Sequence, residues 1–422
     1  EELRDRKGII VEVHTMAGHV GYGECTPLPG FHKETVDELE EQCEKIAEVL
    51  RGRIIPRKVA AMDGSFRDCI FSSCSDFERF AQWHFDVPQT GLQLCEKDVA
   101  PSAMAAYEMA IVQAVAHANE KPLSVTIAEA MASSVVSHLS LNGLATRAEE
   151  QGTLSQTASH FTTLKVKVGG SSSIADEADR VRRIAEVASR HGKVLRLDAN
   201  QAWTLEEAVE FVTKLGVEAQ SSIEYIEEPL ADPNQLVEFG QRTGMKYALD
   251  ESIDQGVWEV LLEQEHLAGL VLKPAIVGGF ERCKMIQQKA GPSVQVVLSS
   301  CFESGIALSH YAIFASVLPD AQFVAHGLGT YDRLSDDLLP YPFSAAVRDG
   351  TVSVLECEKA LEKLRISFGD SKYLHPIPSE TPLGLDSIRR GSNADLRRDS
   401  STEGPPAGED AADAMMRKMG LM

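Results

Sequence analysis

Long apolar runs are missing from this 422-residue chain: none approaches the roughly 18 consecutive apolar residues of a membrane-spanning helix. Positive charge is scarce. Lys and Arg number 41 against 63 Asp and Glu, for a formal net charge of -22, which argues against nucleic acid or an anionic membrane surface as partner. The eight cysteines are scattered and include no C-x-x-C pair, so free thiols in a reducing compartment are expected of a soluble protein. Cys69 and Cys74 lack His or Cys neighbours at metal-ligand spacing. Neither G-x-G-x-x-G nor a Walker loop occurs, so nucleotide binding has no motif support. An initiator Met and a signal-like apolar segment are also missing at the start. EELRDRKGIIVEVHT runs almost directly into a strand, and a fragment or processed product is expected.

What is present is ordinary for a globular protein: 43% hydrophobic and 25% charged residues. The length suits one large domain and a smaller one. Residues 9 to 24 alternate and turn like a hairpin, and TPLPGF follows as a loop. ETVDELEEQCEKIAEVLRG has helical spacing with acids in its first turns. Residues 51 to 100 have no clear period and read as an insertion. PSAMAAYEMAIVQAVAHA is a small-residue helix with Pro101 at its start. From residue 137 the rhythm is strand, helix, strand. Eight apolar segments are expected as strands: SHLSLNGL, TTLKVKVG, VLRLDAN, EYIEEPL, YALDES, LVLKPAI, VQVVLSS and FVAHGL. Such alternation predicts an α/β fold, a parallel (β/α)₈ barrel of the TIM type. The predicted organisation is an N-terminal α+β domain over 1–136, the barrel over 137–374, and a disordered tail or linker over 375–422, rich in Ser, Asp, Arg, Gly and Pro.

The chemistry is concentrated at strand ends. Lys165, Asp198, Glu227, Asp250 and Lys273 each close an apolar run, and in a barrel these ends meet at one mouth. Acids after strands also cap helices, but three converging carboxylates bracketed by lysines suit a hard divalent cation such as Mg²⁺, with Mn²⁺ as an alternative. Lys165 and Lys167 lie two apart, so both face one side while Val166 and Val168 face the other. Two ammonium groups together, and partial desolvation, are each expected to lower a lysine pKa, toward use as a general base. Lys273, on the opposite arc, could stabilise negative charge or act as a second acid/base. Glu227 and Glu228 alternate, so only one points inward. Ser299, Ser300, Gly278 and Gly279 are loop donors suited to carboxylate or carbonyl oxygens, and Asn200 stands one step above Asp198. Arg196 is expected in a structural salt bridge and His326 in a structural role. Cys301 lacks an obvious base.

The set K-x-K, D-x-N, E-E-P, D-E-S and K-P resembles the muconate-lactonising branch of the enolase superfamily. GYGECTPLPGFHKET is similar to the capping-domain loop G-W-G-E-x-x-P-L-P-G-F-S-x-E-T of o-succinylbenzoate synthases, with Tyr22 and His32 as departures. PSAMAAYEMA and LSSCFESGIAL resemble that family's capping helix and seventh-strand segment. The likeness covers roughly residues 7 to 365, the 51 to 100 stretch excepted. It implies an α+β capping domain, here expected without its first strand, on a modified barrel. It also implies Mg²⁺ held by Asp198, Glu227 (over Glu228) and Asp250 (over Glu251). Enolase-superfamily sites are a standard example of a Lys or His base working with Mg²⁺ on an enediolate. By this resemblance Lys167 is the base, Lys165 lowers its pKa, and Lys273 stabilises the intermediate. The implied reaction dehydrates a small dicarboxylate in menaquinone or phylloquinone biosynthesis. An N-acylamino-acid racemase, dipeptide epimerase or cycloisomerase of the same branch is the rival, and a non-catalytic piece of a larger fused protein is another. Such a fusion would place covalently joined neighbouring domains in the plastid; a bacterial enzyme would be cytoplasmic.

Overall fold

A computed structural model describes residues 6–50, 99–145, 160–170 and 173–366, together with the backbone of 374–376 and 386–391. The expected hairpin is strands β1 (Gly8–His14) and β2 (Val20–Cys25), antiparallel with Ile9 opposite Cys25. Helices α1 (Val36–Leu50), α2 (Pro101–Ala118) and α3 (Leu123–Met131) follow. Strand β2 lies unusually close to α2. A Cβ added at Gly21 or Gly23 would come within 1.9 Å of the Ala110 carbonyl oxygen or 1.8 Å of that of Ala106. Only glycine facing a small-residue helix permits that approach. The 51–100 insertion lies outside the described residues but for its last two.

The eight barrel strands are β3 (His138–Ala145), β4 (Thr163–Lys167), β5 (Val194–Asp198), β6 (Ile223–Glu227), β7 (Tyr247–Leu249), β8 (Leu267–Leu272), β9 (Gln295–Leu298) and β10 (Ala325–His326). They pair in parallel and in chain order from β3 to β9, and β10 returns beside β3. The seam between β9 and β10 is a bridge from Ser299 to Gly327 rather than a ladder. Alternation sorts the side chains. Tyr225, Ala248, Val271, Val297 and Val324 form a small cluster. Leu197, Ile226, Leu270 and Leu272 belong to the large core cluster. Helices α4 (Ile174–Arg190), α5 (Leu205–Gln220), α6 (Leu236–Thr243), α7 (Phe280–Ala290) and α8 (Gly305–Ala315) connect the strands. Thr204 and Glu207 form the capping box that starts α5. Two short antiparallel strands, β11 (Val347–Arg348) and β12 (Thr351–Ser353), join the sheet through β3, and helix α9 (Val354–Lys363) follows.

The region expected as tail contributes strands. Leu374–Pro376 (β13) and Asp386–Gly391 (β14) extend the N-terminal sheet to the order β13-β14-β1-β2, with Val11 opposite Ile388. The physical reason is that β1 would otherwise present an open edge of unpaired N–H and C=O groups. Low-complexity composition concealed this segment. Among the described residues, no helix is long and apolar enough to cross a membrane. The five described cysteines are buried free thiols, as expected.

Candidate active site

Strand register builds the site. Lys167 lies beside Asp198, and Asp198 beside Glu227, at the C-terminal ends of β4, β5 and β6. Asp250 and Lys273 come directly after β7 and β8. Lys165 Nζ reaches Asp198 at 2.6 Å and Glu227 at 2.8 Å. Lys167 Nζ donates to Asp198 at 2.7 Å and to Asn200 Oδ1 at 2.6 Å. Lys273 is ion-paired with Asp250. All three carboxylates are buried. Among the described residues, no three His, Cys, Asp or Glu side chains enclose an ion-sized point, because the acids here turn to the lysine ammonium groups. The donor set itself fits a hard divalent cation: three buried carboxylates on neighbouring strand ends, each holding a cationic group in its place.

The electrostatics correct one expectation. Burial alone would lower Lys165, but Asp198, Glu227 and Asp250 outweigh it and hold the ammonium well above its ordinary range. The neighbouring acids, not the second lysine, decide the sign. Burial would raise Asp198, yet Lys165 and Lys167 hold it below the usual carboxylate range. Burial first, then the Asp198 charge, push Glu227 up to about 8. Burial would lower Lys273, but its pairing with Asp250 keeps it raised. Burial pushes the Cys301 thiol well up, consistent with no nucleophilic part.

The pocket above this row is lined by Lys165, Lys167, Asp198, Lys273, Ser299 and Ser300, with Phe31, Asn142, Phe302 and Thr330 among the other walls. Phe31 comes from the PLPGF loop, its ring 5.9 Å from the Lys273 ammonium. Ser300 Oγ lies 2.8 Å from Thr330 Oγ1. Three expected substrate contacts sit elsewhere. Asn200 is occupied with Lys167 and with Glu251, to which its amide donates at 2.9 Å. Gly278 and Gly279 are not on the pocket wall. The Glu108 carboxylate of α2 accepts from Phe280 N and, at 2.7 Å, from Glu281 N. A Cβ at Gly279 would strike that carboxylate at 2.1 Å, so docking of α2 accounts for the glycine.

Glu228 is the residue that strand logic undervalued. Fully buried, it accepts from Asp250 N at 2.7 Å, Ser252 N at 2.8 Å, Ser252 Oγ at 2.7 Å and Gln201 Nε2 at 3.0 Å. It thereby holds the turn that carries Asp250. The signal available in sequence was its place directly after Glu227, on the opposite face. Non-glycine residues with left-handed φ cluster here: Asn200 at 43°, Gln201 at 60°, Glu228 at 41° and Phe302 at 62°, as is common where a site is over-determined by its surroundings. Arg196 pairs with Glu224 at 2.6 Å beneath the row, and buried His326 Nδ1 accepts from Leu298 N at 3.1 Å, so both have the structural parts expected.

Residues 143–358 match a family described as enolase C-terminal domain-like. The chain belongs to that family. In this enolase-like chain residues 1–55 also match the MenC N-terminal domain. Protein PHYLLO, chloroplastic, of Arabidopsis thaliana is 29% identical over 374 residues, covering 79% of this chain; the chain spans 20% of that relative's length. The o-succinylbenzoate synthase of Haemophilus influenzae is 28% identical over 344 residues, covering 80% of this chain and 86% of that one. A dipeptide epimerase from Enterococcus faecalis V583, complexed with Mg and L-Leu-L-Tyr, superposes with a TM-score of 0.63 at 21% identity, over 82% of this chain and 88% of that one. That likeness shows the shared fold, the α/β barrel with its capping domain.

Proposed function

We propose that this enolase-like chain is an o-succinylbenzoate synthase, dehydrating 2-succinyl-6-hydroxy-2,4-cyclohexadiene-1-carboxylate to o-succinylbenzoate in menaquinone or phylloquinone biosynthesis. The observation that carries this reading is the MenC N-terminal match over residues 1–55, because that region supplies Phe31 to the pocket above the lysine–carboxylate row. The barrel row alone supports proton abstraction beside a carboxylate; the capping loop supports this substrate. The rival racemase, epimerase or cycloisomerase activities would use the same lysines, with a different capping loop.

Asp198, Glu227 and Asp250 would hold Mg²⁺ or Mn²⁺, which when bound supplies positive charge opposite the substrate carboxylate. Lys167 takes the proton from the carbon next to that carboxylate. Asp198 and Asn200 fix its Nζ in place before substrate arrives. Lys167 then returns the proton to the departing hydroxyl. One C–H and one C–O bond break on the same face, water leaves, and the ring becomes aromatic. Lys273 faces the intermediate from the opposite arc and stabilises its negative charge. Lys165 ties Asp198 to Glu227. Ser299 and Ser300 line the pocket with hydroxyls that donate to Gly327 O; rotating from it, they would donate to the substrate's carboxylate or carbonyl oxygens.

The test is to incubate the folded protein with the cyclohexadiene acid, with and without Mg²⁺, and follow o-succinylbenzoate. Product that disappears on chelation and returns with metal supports the reading. Substrate left unchanged with Mg²⁺ present would sink it, and would favour the non-catalytic piece. Fusion to further domains of the same pathway, and a plastid address like that of the Arabidopsis relative, belong to the same proposal. Genomic sequence immediately upstream of Glu1 tests both.

A further inference from the structure

Two loops line the pocket, and one side chain joins them. The first loop follows β2 and carries Phe31. The second follows β9 and carries Ser299, Ser300 and Phe302. Arg6, just before β1, stands between them. Its guanidinium donates to Thr26 O and Pro27 O of the first loop. It donates to Cys301 O at 2.9 Å and Phe302 O at 3.3 Å in the second. All four acceptors are backbone carbonyls, so the contact specifies where the chain runs rather than which side chains it bears. A planar guanidinium with five donors in a fixed fork suits this task, and a lysine ammonium does not.

The Arg6 contact falls where the second loop is hardest to hold. Phe302 has φ of 62°, a left-handed conformation that L residues adopt only under constraint. Arg6 binds the carbonyls on both sides of that residue's Cα. A second tie lies alongside. Glu24, near the end of β2, accepts from Ser304 N at 2.9 Å, Ser304 Oγ at 2.6 Å and Ala307 N at 3.2 Å, and from Thr26 Oγ1 at 3.2 Å at the start of the first loop. Glu24 therefore secures the loop to the start of α8. Arg6 bridges the backbones of the two loops. None of the lysines or carboxylates of the row touches it among the bonds described above.

We propose that Arg6 is a positioning residue that sets the width of the pocket between Phe31 and Phe302, and so governs how tightly a cyclic dicarboxylate is held without taking part in proton transfer. The kinetic part rests on the synthase reading; the loop clamp does not. Arg6→Ala is expected to raise KM for the cyclohexadiene acid by about tenfold or more, with kcat within about threefold of the parent and Mg²⁺ affinity by calorimetry unchanged. Arg6→Lys should fall between the two, and added methylguanidine should restore part of the loss in Arg6→Ala. Hydrogen exchange should quicken in residues 24–32 and 299–304 and stay unchanged in β4 to β8. Should the parent fail to turn over this substrate, the synthase reading fails, and the exchange pattern alone still decides the clamp. Unchanged exchange in both loops overturns it, as does a fall in kcat equal to the rise in KM. If Arg6→Ala does not fold, Arg6→Lys is judged by the same measures; parent-like KM and exchange in that variant overturn the proposal.

Discussion

Lys167, partly exposed to the pocket, and Glu303, fully buried, show how differently two ionisable groups can serve one site. Lys167 is held by Asp198 and Asn200, where it can meet a substrate proton. Lys167→Ala should lower turnover by at least about 10²-fold, the scale of a lost general base, while Mg²⁺ binding by calorimetry stays nearly intact. Loss of metal affinity would contradict its role. Glu303 sits behind the pocket wall, accepting from Cys301 N at 2.5 Å and Tyr311 OH at 3.2 Å. Burial, only partly opposed by its hydrogen bonds and Arg6, pushes it up to about 7. An unfolded Glu titrates near roughly 4.3, so the folded state binds the extra proton between those values. Its contribution to stability is full below the unfolded value and is lost as pH rises through about 7. The parent's urea midpoint should therefore fall from pH 5 to pH 8 relative to Glu303→Gln. A parallel course for the two proteins would show that Glu303 does not titrate in this window.

At the scale of elements, the β2–α2 contact is the tightest joint. Gly23→Ala would drive a methyl into the Ala106 carbonyl. Neither backbone can yield without parting the hairpin from the helix, and overpacking of this kind costs about 1–3 kcal/mol or more. A clearly lowered melting temperature is expected, and an unchanged one would mean that the joint is looser than described. Most elements were legible because each followed one dominant period: two for the β1–β2 hairpin, three to four for α4 with Ser173 at its N-cap. Strand β14 was not, because a strand that pairs on an open edge needs little apolar patterning of its own. The short β10 was legible as an apolar run, but not its weak seam with β9.

In the molecule as a whole, two acids of the capping region dock on the N-termini of two barrel helices. Glu24 meets α8 and Glu108 meets α7, where unpaired N–H groups and the helix dipole favour a carboxylate. Glu108→Ala leaves Phe280 N and Glu281 N without these partners inside the interface. A loss of about 2–4 kcal/mol is expected from two charge-assisted bonds, read as a lower thermal midpoint, with Glu108→Gln intermediate. Equal midpoints for Glu108→Ala and the parent would mean that the interface does not depend on this carboxylate. The same docking holds the capping region on the barrel, where Phe31 lines the pocket.

The sequence by itself determined the barrel, the row of lysines and carboxylates, and the division of Glu227 from Glu228, because strand period and strand ends are local properties. Only the tertiary structure decided that Asn200 serves Lys167, that Gly279 makes room for Glu108, that three acids raise Lys165 against its burial, and that Arg6 ties two pocket loops together. Those facts depend on residues distant in the chain, on burial, and on the summed field of neighbouring charges, none of which a local pattern contains.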